Sequence, residues 1–333
     1  MSFLSAMRAS AAVPPSGEDH NIIFAAWYAE GEGGAEGFDS EHMAKPDTSF
    51  ISALRRSNPG CTIVVLTDQG TQIELPPDVR LYRYAIDRSK LGRNPYANYY
   101  QYLAQISFLQ HLMAKGLAQS MDVVFLDMDI LVIDSLAEVF KEGPGFDYAV
   151  TLSDAVDMPV NIGMQFVHHG RYPGAVAFLE DVLAVYPFNE TFVSGQVALG
   201  NLIGLRYNDE QLLTHYKSAV RDRSSAKQVR GRHSVHSVRF LPCMRYNYCH
   251  AGQSCCTDPD RLPVSVTTEE ELTDTRVKVL HFVGHRKKAL RLVHRAFMEG
   301  GLEGAYRVLS MLPHTSDDYA SLDVFPLESL LLP

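Results

Sequence analysis

The sequence predicts an α/β fold, a mostly parallel central sheet with helices on both faces, and three observations carry that reading. Strand-length apolar runs alternate with segments of helical periodicity, the βαβα order that packs helices over a parallel sheet. Several runs, "NIIFAAWY" (21–28), "CTIVVLTD" (61–68) and "DVVF" (122–125), are apolar nearly throughout, as strands buried on both faces should be. Polar residues close these runs, namely Tyr28, Asp68 and the pair Asp127 and Asp129, and ligands of such sheets bind at the carboxyl ends of the strands.

Taken in order, residues 1–19 read as a loose N-terminal arm, with short apolar pieces and no signal-peptide core. A buried first strand over 21–28 gives way to the flexible "AEGEGGAEG" (29–37). "DTSFISALRRS" (47–57) has helical character and stops before Pro59 and Gly60, after which 61–68 forms a second strand and the alternating 79–86 a third. From Pro95 onward Tyr99, Tyr102, Leu103, Ile106, Leu109 and Met113 recur at helical spacing, and Gly116 is placed to cap that helix. It leads into the run that carries Asp127 and Asp129. No internal repeat or linker divides the chain, so residues 20–300 form one domain and 301–333 a C-terminal helix and tail.

The chain has 333 residues, enough for a large core, and its net charge of −9 argues against a broad nucleic-acid footprint. No apolar run is long enough for a transmembrane segment. Five cysteines, an odd number in a long chain, argue against a disulfide framework and favour a reducing, cytoplasmic setting. Cys243, Cys249, Cys255 and Cys256 cluster with His250, but their spacing matches no zinc pattern. "NET" (189–191) fits a glycosylation acceptor only in a secreted chain.

The stretch "FLDMDILV" (125–132) sets two carboxylates in an apolar run. On an extended strand alternate side chains share a face, so Asp127 and Asp129 meet at one place while Met128 points away. Two like charges so close raise one pKa unless a cation or donors intervene, and buried charges are normally paired or hold a metal. The apolar residues on both sides read as one buried strand, with the pair where it emerges.

An apolar strand followed by Asp-x-Asp resembles the metal-binding signature of nucleotide-sugar-dependent glycosyltransferases of the A-type fold. Two further stretches carry the resemblance. "VNIGMQFVHHG" (160–170) is similar to their Asn-x-Gly segment, and "VKVLHFVGHRKKAL" (277–290) to the His-x-x-Gly-x-x-Lys motif of family 8. The resemblance spans roughly residues 20 to 290 and implies a retaining hexosyltransferase with a UDP-sugar donor, Mn2+ or Mg2+, and a glycan, protein or small-molecule acceptor. It makes Asp127, Asp129 and His281 metal ligands and puts Gly284 and Lys287 at the diphosphate, with Tyr28, Asp68, Asn161 and Gly163 around the donor. It sets Asp209, Glu210 and Gln211 of "NDEQLLT" beside the reacting sugar. The sequence departs from the family where Lys288 and Ala289 replace its usual Pro-Trp, and where Gln101 stands near a common arginine.

The residue types suit that chemistry by themselves. A departing diphosphate develops negative charge, which a carboxylate-held divalent cation offsets as a Lewis acid. Oxygen ligands suit magnesium or manganese, and one imidazole tilts the choice to manganese. Lys287 adds a point charge, and a glycine at 284 lets backbone approach the phosphates. "VVFLDMDILV" (123–132) also resembles the nucleophile strand of haloacid-dehalogenase-like phosphatases, with Asp127 as nucleophile, although that strand usually continues Gly-Thr rather than Ile130-Leu131. A sugar-nucleotide-binding module without turnover is the non-enzymatic alternative.

Overall fold

A computed structural model of the chain describes residues 21–29, 48–87, 89, 96–141, 145–152, 160–188, 194–204, 225–249, 268–282 and 287–312. The expectations for the arm at 1–19, for 189–191, Asp209, Glu210, Gln211, His250, Cys255, Cys256 and Gly284, and for the tail beyond 312 lie outside these residues. The elements run β1 (Ile22–Trp27), α1 (Ser49–Ser57), β2 (Thr62–Asp68), β3 (Arg80–Tyr84), α2 (Tyr96–Ala114), β4 (Asp122–Leu126), β5 (Ile130–Val132), α3 (Ala137–Lys141), β6 (Tyr148–Leu152) and β7 (Val160–Val167). They continue with α4 (Tyr172–Ala184), α5 (Ser194–Ile203), β8 (Ser225–Arg230), β9 (Val235–Pro242), α6 (Cys243–Tyr246), α7 (Glu269–Thr275), β10 (Val279–His281) and α8 (Lys287–Met311), which is broken at Gly301.

The main sheet has eight strands in the order β3-β2-β1-β4-β7-β6-β9-β8. Strands β3, β2, β1 and β4 pair in parallel, β6 and β9 share their direction, and only β7 and β8 oppose it. The apolar runs explain the centre of this order. In β1 every residue is buried, with Ile23, Ala25 and Trp27 entering one core and Ile22, Phe24 and Ala26 the other. The first core takes Tyr102, Phe108, Leu109 and Leu112 of α2 and Phe178 and Leu179 of α4, while the second takes Phe50, Ile51 and Leu54 of α1. Helices thus cover both faces, as the pattern of continuous apolar strands requires. Gly116 closes α2 with φ 71° and Gly60 follows α1 with φ 85°, left-handed conformations that glycine adopts without a Cβ penalty.

One element differs from the expectation. The run around the aspartates is two strands, not one: β4 stops at Leu126, residues 127–129 turn, and β5 leaves the main sheet to pair antiparallel with β10. The apolar residues flanking the pair are equally buried in either arrangement, so hydropathy alone cannot mark the turn. A second irregularity lies beside it. The β6–β7 register jumps between Val150↔Gln165 and Thr151↔Asn161, so β7 bulges from 162 to 164. Bulges of this kind often re-aim groups next to a site. Cys243 and Cys249 are buried and in no disulfide, and among the described residues no helix is long and apolar enough to cross a membrane.

Candidate active site

The carboxyl ends of β1, β2 and β4, the bulged start of β7 and the β5–β10 pair meet along one edge of the main sheet. Asp127 and Asp129 occupy the turn after β4. The Asp127 backbone N–H donates to the Gly163 carbonyl in the bulge at 3.0 Å, and the Phe282 N–H donates to the Asp129 carbonyl at 2.9 Å. His281 ends β10, paired with Ile130, and its own N–H donates to the Tyr248 carbonyl at 2.8 Å. The turn therefore achieves what strand alternation was expected to do, and it brings in His281 from 152 residues further along the chain.

The ligand atoms of Asp127, Asp129 and His281 lie within 4.8 Å of one another. His281 Nε2 is 3.3 Å from Asp129 Oδ1, and Lys287 Nζ is 3.0 Å from Asp129 Oδ2. Gln101 Nε2 approaches Asp127 Oδ1 at 3.4 Å. The two carboxyls consequently differ. Burial, and then the charge of Asp129, push Asp127 up to about 6. Burial acts on Asp129 in the same direction, but there His281 and Lys287 together outweigh it and hold the carboxyl well below the usual range. Asp129 in turn raises the Lys287 ammonium. This is the split expected of two like charges sharing a site with a cation beside one of them.

These residues fit a divalent cation. Asp129 Oδ1 is buried and accepts no hydrogen bond, an arrangement costly for an acceptor unless something positive faces it. Two carboxylates and one imidazole suit manganese and also accommodate magnesium.

Sequence reasoning missed the support behind His281. Its Nδ1 lies 2.9 Å from Asn247 Oδ1, and Asn247 Nδ2 donates to Asn161 Oδ1 at 2.7 Å and to Thr151 Oγ1 at 2.8 Å. Asn161 Oδ1 also accepts the Gly163 N–H at 2.8 Å. Asn161 and Gly163 thus stand next to the metal-ligand candidates, but Asn161 faces inward to this network. Asn247 precedes "YCH" in a segment with no recognisable pattern, so nothing in the sequence marks it. Gly163 has a steric reason: a Cβ there would sit 2.6 Å from His281 Cε1 and 2.8 Å from Nδ1.

Tyr28 and Asp68 lie at the ends of neighbouring strands on the same edge. Tyr28 is half-buried, and its N–H donates to the Leu66 carbonyl at 2.9 Å. The Asp68 carboxylate accepts the N–H groups of Gly70 and Thr71 at 2.7 and 3.1 Å and also bonds the Thr71 hydroxyl, shaping its own turn. Another Asp/His grouping, Asp122 with His168 and His169, lies at the opposite edge. There Asp122 Oδ1 accepts the His169 N–H at 2.7 Å and lies 2.8 Å from His169 Nδ1, the arrangement of a structural cap.

No family model matches the chain, and no curated protein matches it significantly. Among solved structures it is similar to the glycosyltransferase GlyE of Streptococcus pneumoniae TIGR4, with 11% identity, a TM-score of 0.42, and coverage of 94% of this chain and 64% of that one. It is also similar to the WbbM bifunctional glycosyltransferase, with 13% identity, a TM-score of 0.41, and coverage of 82% and 47%. A third is a glycosyltransferase involved in glycosylation of the major capsid of PBCV-1, with 10% identity, a TM-score of 0.40, and coverage of 81% and 99%. The chain spans less than two thirds of the length of the GlyE and WbbM structures.

Proposed function

We propose that this chain is a metal-dependent glycosyltransferase that moves a hexose from a UDP-sugar to an acceptor hydroxyl with retention of configuration. The observation that carries the reading is the convergence of Asp127, Asp129 and His281, with Lys287 on Asp129, at one sheet edge. These are the residues of the Asp-x-Asp and His-x-x-Gly-x-x-Lys resemblances, drawn from opposite ends of the domain.

Asp127, Asp129 and His281 would hold the cation, manganese or magnesium, which supplies Lewis-acid offset of the charge developing on the leaving diphosphate. Lys287 is the first residue of α8, so its ammonium and the positive end of the helix act on the same oxygens. Tyr28 and Asp68 border the donor along the edge, and Gly284 lets backbone come close to the phosphates. In a retaining transfer the acceptor enters on the face the diphosphate leaves, and the departing phosphate takes the acceptor's proton. A polar side chain from Asp209, Glu210 or Gln211 then stabilises the opposite face of the sugar.

The test is incubation with MnCl2 and a panel of UDP- and other nucleotide sugars, followed by nucleotide release and product NMR. An α-linked product from an α-linked UDP-hexose is expected, and Asp129→Ala loses manganese-dependent UDP binding while remaining folded. A β-linked product would refute retention, and tight manganese-dependent UDP binding by Asp129→Ala would refute the metal assignment.

A further inference from the structure

We propose that Asn247 is a positioning residue that fixes which nitrogen of His281 carries hydrogen, so that Nε2 presents its lone pair to the carboxylate pair. The inference rests on the reading of His281 as a metal ligand, and its chain of reasoning begins at a backbone group. The Gly163 N–H is only a donor, and it meets the Asn161 side chain at 2.8 Å, so that atom is the amide oxygen. An amide oxygen only accepts, so the Asn247 atom 2.7 Å away is its Nδ2, which also reaches Thr151 Oγ1 at 2.8 Å. The Thr151 hydroxyl spends its hydrogen on the Asn161 carbonyl at 3.2 Å and is free to accept there. What remains of Asn247 is its oxygen, 2.9 Å from His281 Nδ1, so Nδ1 is the nitrogen that bears hydrogen.

Every member of this chain is buried: Thr151 0%, Asn161 5%, Asn247 0% and His281 6% exposed. The β10 pairing fixes the backbone of His281, and the lack of a Cβ at Gly163 leaves the ring its place. With hydrogen on Nδ1, it is Nε2 that faces Asp129 Oδ1, and when the ring is neutral that nitrogen carries the lone pair. The 3.3 Å between the two atoms takes a proton when the ring is cationic, and Nε2 is the nitrogen left open to a metal ion in place of that proton. The bulge of β7 thus acts at a distance, through two asparagines, on the preparation of the site for metal.

The experiment compares the parent chain, Asn247→Leu and Asn247→Asp. MnCl2 alone is titrated by calorimetry, and the ring nitrogens of 15N-histidine-labelled, metal-free protein are observed by NMR at a pH where the ring is neutral. The parent is expected to show the Nδ1–H tautomer. Asn247→Leu, which removes the acceptor at similar volume, is expected to lose about 10–100-fold in manganese affinity and to show mixed tautomers. Asn247→Asp gives up the donations to Asn161 and Thr151 but still accepts from Nδ1, and it is expected to retain the Nδ1–H tautomer. An Nε2–H tautomer in the parent, unchanged manganese affinity in Asn247→Leu, or an Nε2–H tautomer in a folded Asn247→Asp would overturn the proposal. A parent that binds no manganese but shows the Nδ1–H tautomer would instead refute the metal reading and leave the positioning role standing. Asn247→Asp and the parent spectrum decide the matter even if Asn247→Leu does not fold.

Discussion

Replacing Gly163 by alanine is the sharpest single perturbation of the site. Its φ lies outside the left-handed region, so alanine meets no backbone strain and the effect isolates one methyl group. That methyl would stand 2.6 Å from His281 Cε1, about 0.8 Å short of ordinary contact at 3.4 Å, and 3.0 Å from Asn161 Oδ1. The ring is buried and bonded through Nδ1, so it moves only by breaking the Asn247 contact. Overpacking of this kind costs about 1–3 kcal/mol. Metal–ligand distances tolerate about 0.2 Å, so a displacement several times larger removes His281 from the ligand set, and a loss of about 10–100-fold in manganese affinity is expected. Gly116→Ala is the matched control: φ is 71° and nothing lies within 4 Å of the added Cβ, so it should lose about 1 kcal/mol by strain alone with manganese affinity unchanged. Urea unfolding and manganese calorimetry separate the two effects. Parent-like manganese affinity in Gly163→Ala would refute the argument, as would an equal loss in Gly116→Ala.

Other expectations follow from the charges. Lys287→Ala should lower turnover about 10²–10³-fold, the usual effect of removing one preorganised charge-stabilising group, and near-parent turnover would make Lys287 a surface cation. Burial and Asp129 raise Asp127 to about 6 in the metal-free chain, and a metal must displace that proton. Manganese affinity should therefore fall below about pH 6, approaching tenfold per pH unit, and level off above it as far as Asp127 is concerned. Calorimetry from pH 8 to 5 that shows constant affinity would contradict this.

Much of the architecture was legible because burial on both faces leaves a mark in sequence. β1, β2 and β3 lie within the expected runs, and α2 follows the tyrosine-leucine periodicity to its glycine cap. The ligand candidates were legible through residue type and order. The break at 127–129 was not, because apolar residues before and after it are buried whether the strand continues or turns into a second sheet. Asn247 was not legible either. Its role comes from three partners scattered over 130 positions, Thr151 to His281, and a single buried amide has no periodicity to betray it. Asp68 shows the reverse: its place at a strand end was legible, but only the folded turn reveals that its carboxylate bonds the next few residues.

The pairing of β5 with β10 has a consequence for the order in which this molecule is made. The parallel half of the main sheet, β1 to β4, uses only residues before 127, and these strands are available early in synthesis. His281 and Lys287 arrive after nearly the whole domain has emerged, and the contact that places them spans about 150 residues, a long loop to close. The two aspartates are therefore made well before the imidazole and the ammonium that meet Asp129. The contacts of Asp129 with His281 and Lys287 form only after the β10 end of that pair has been made.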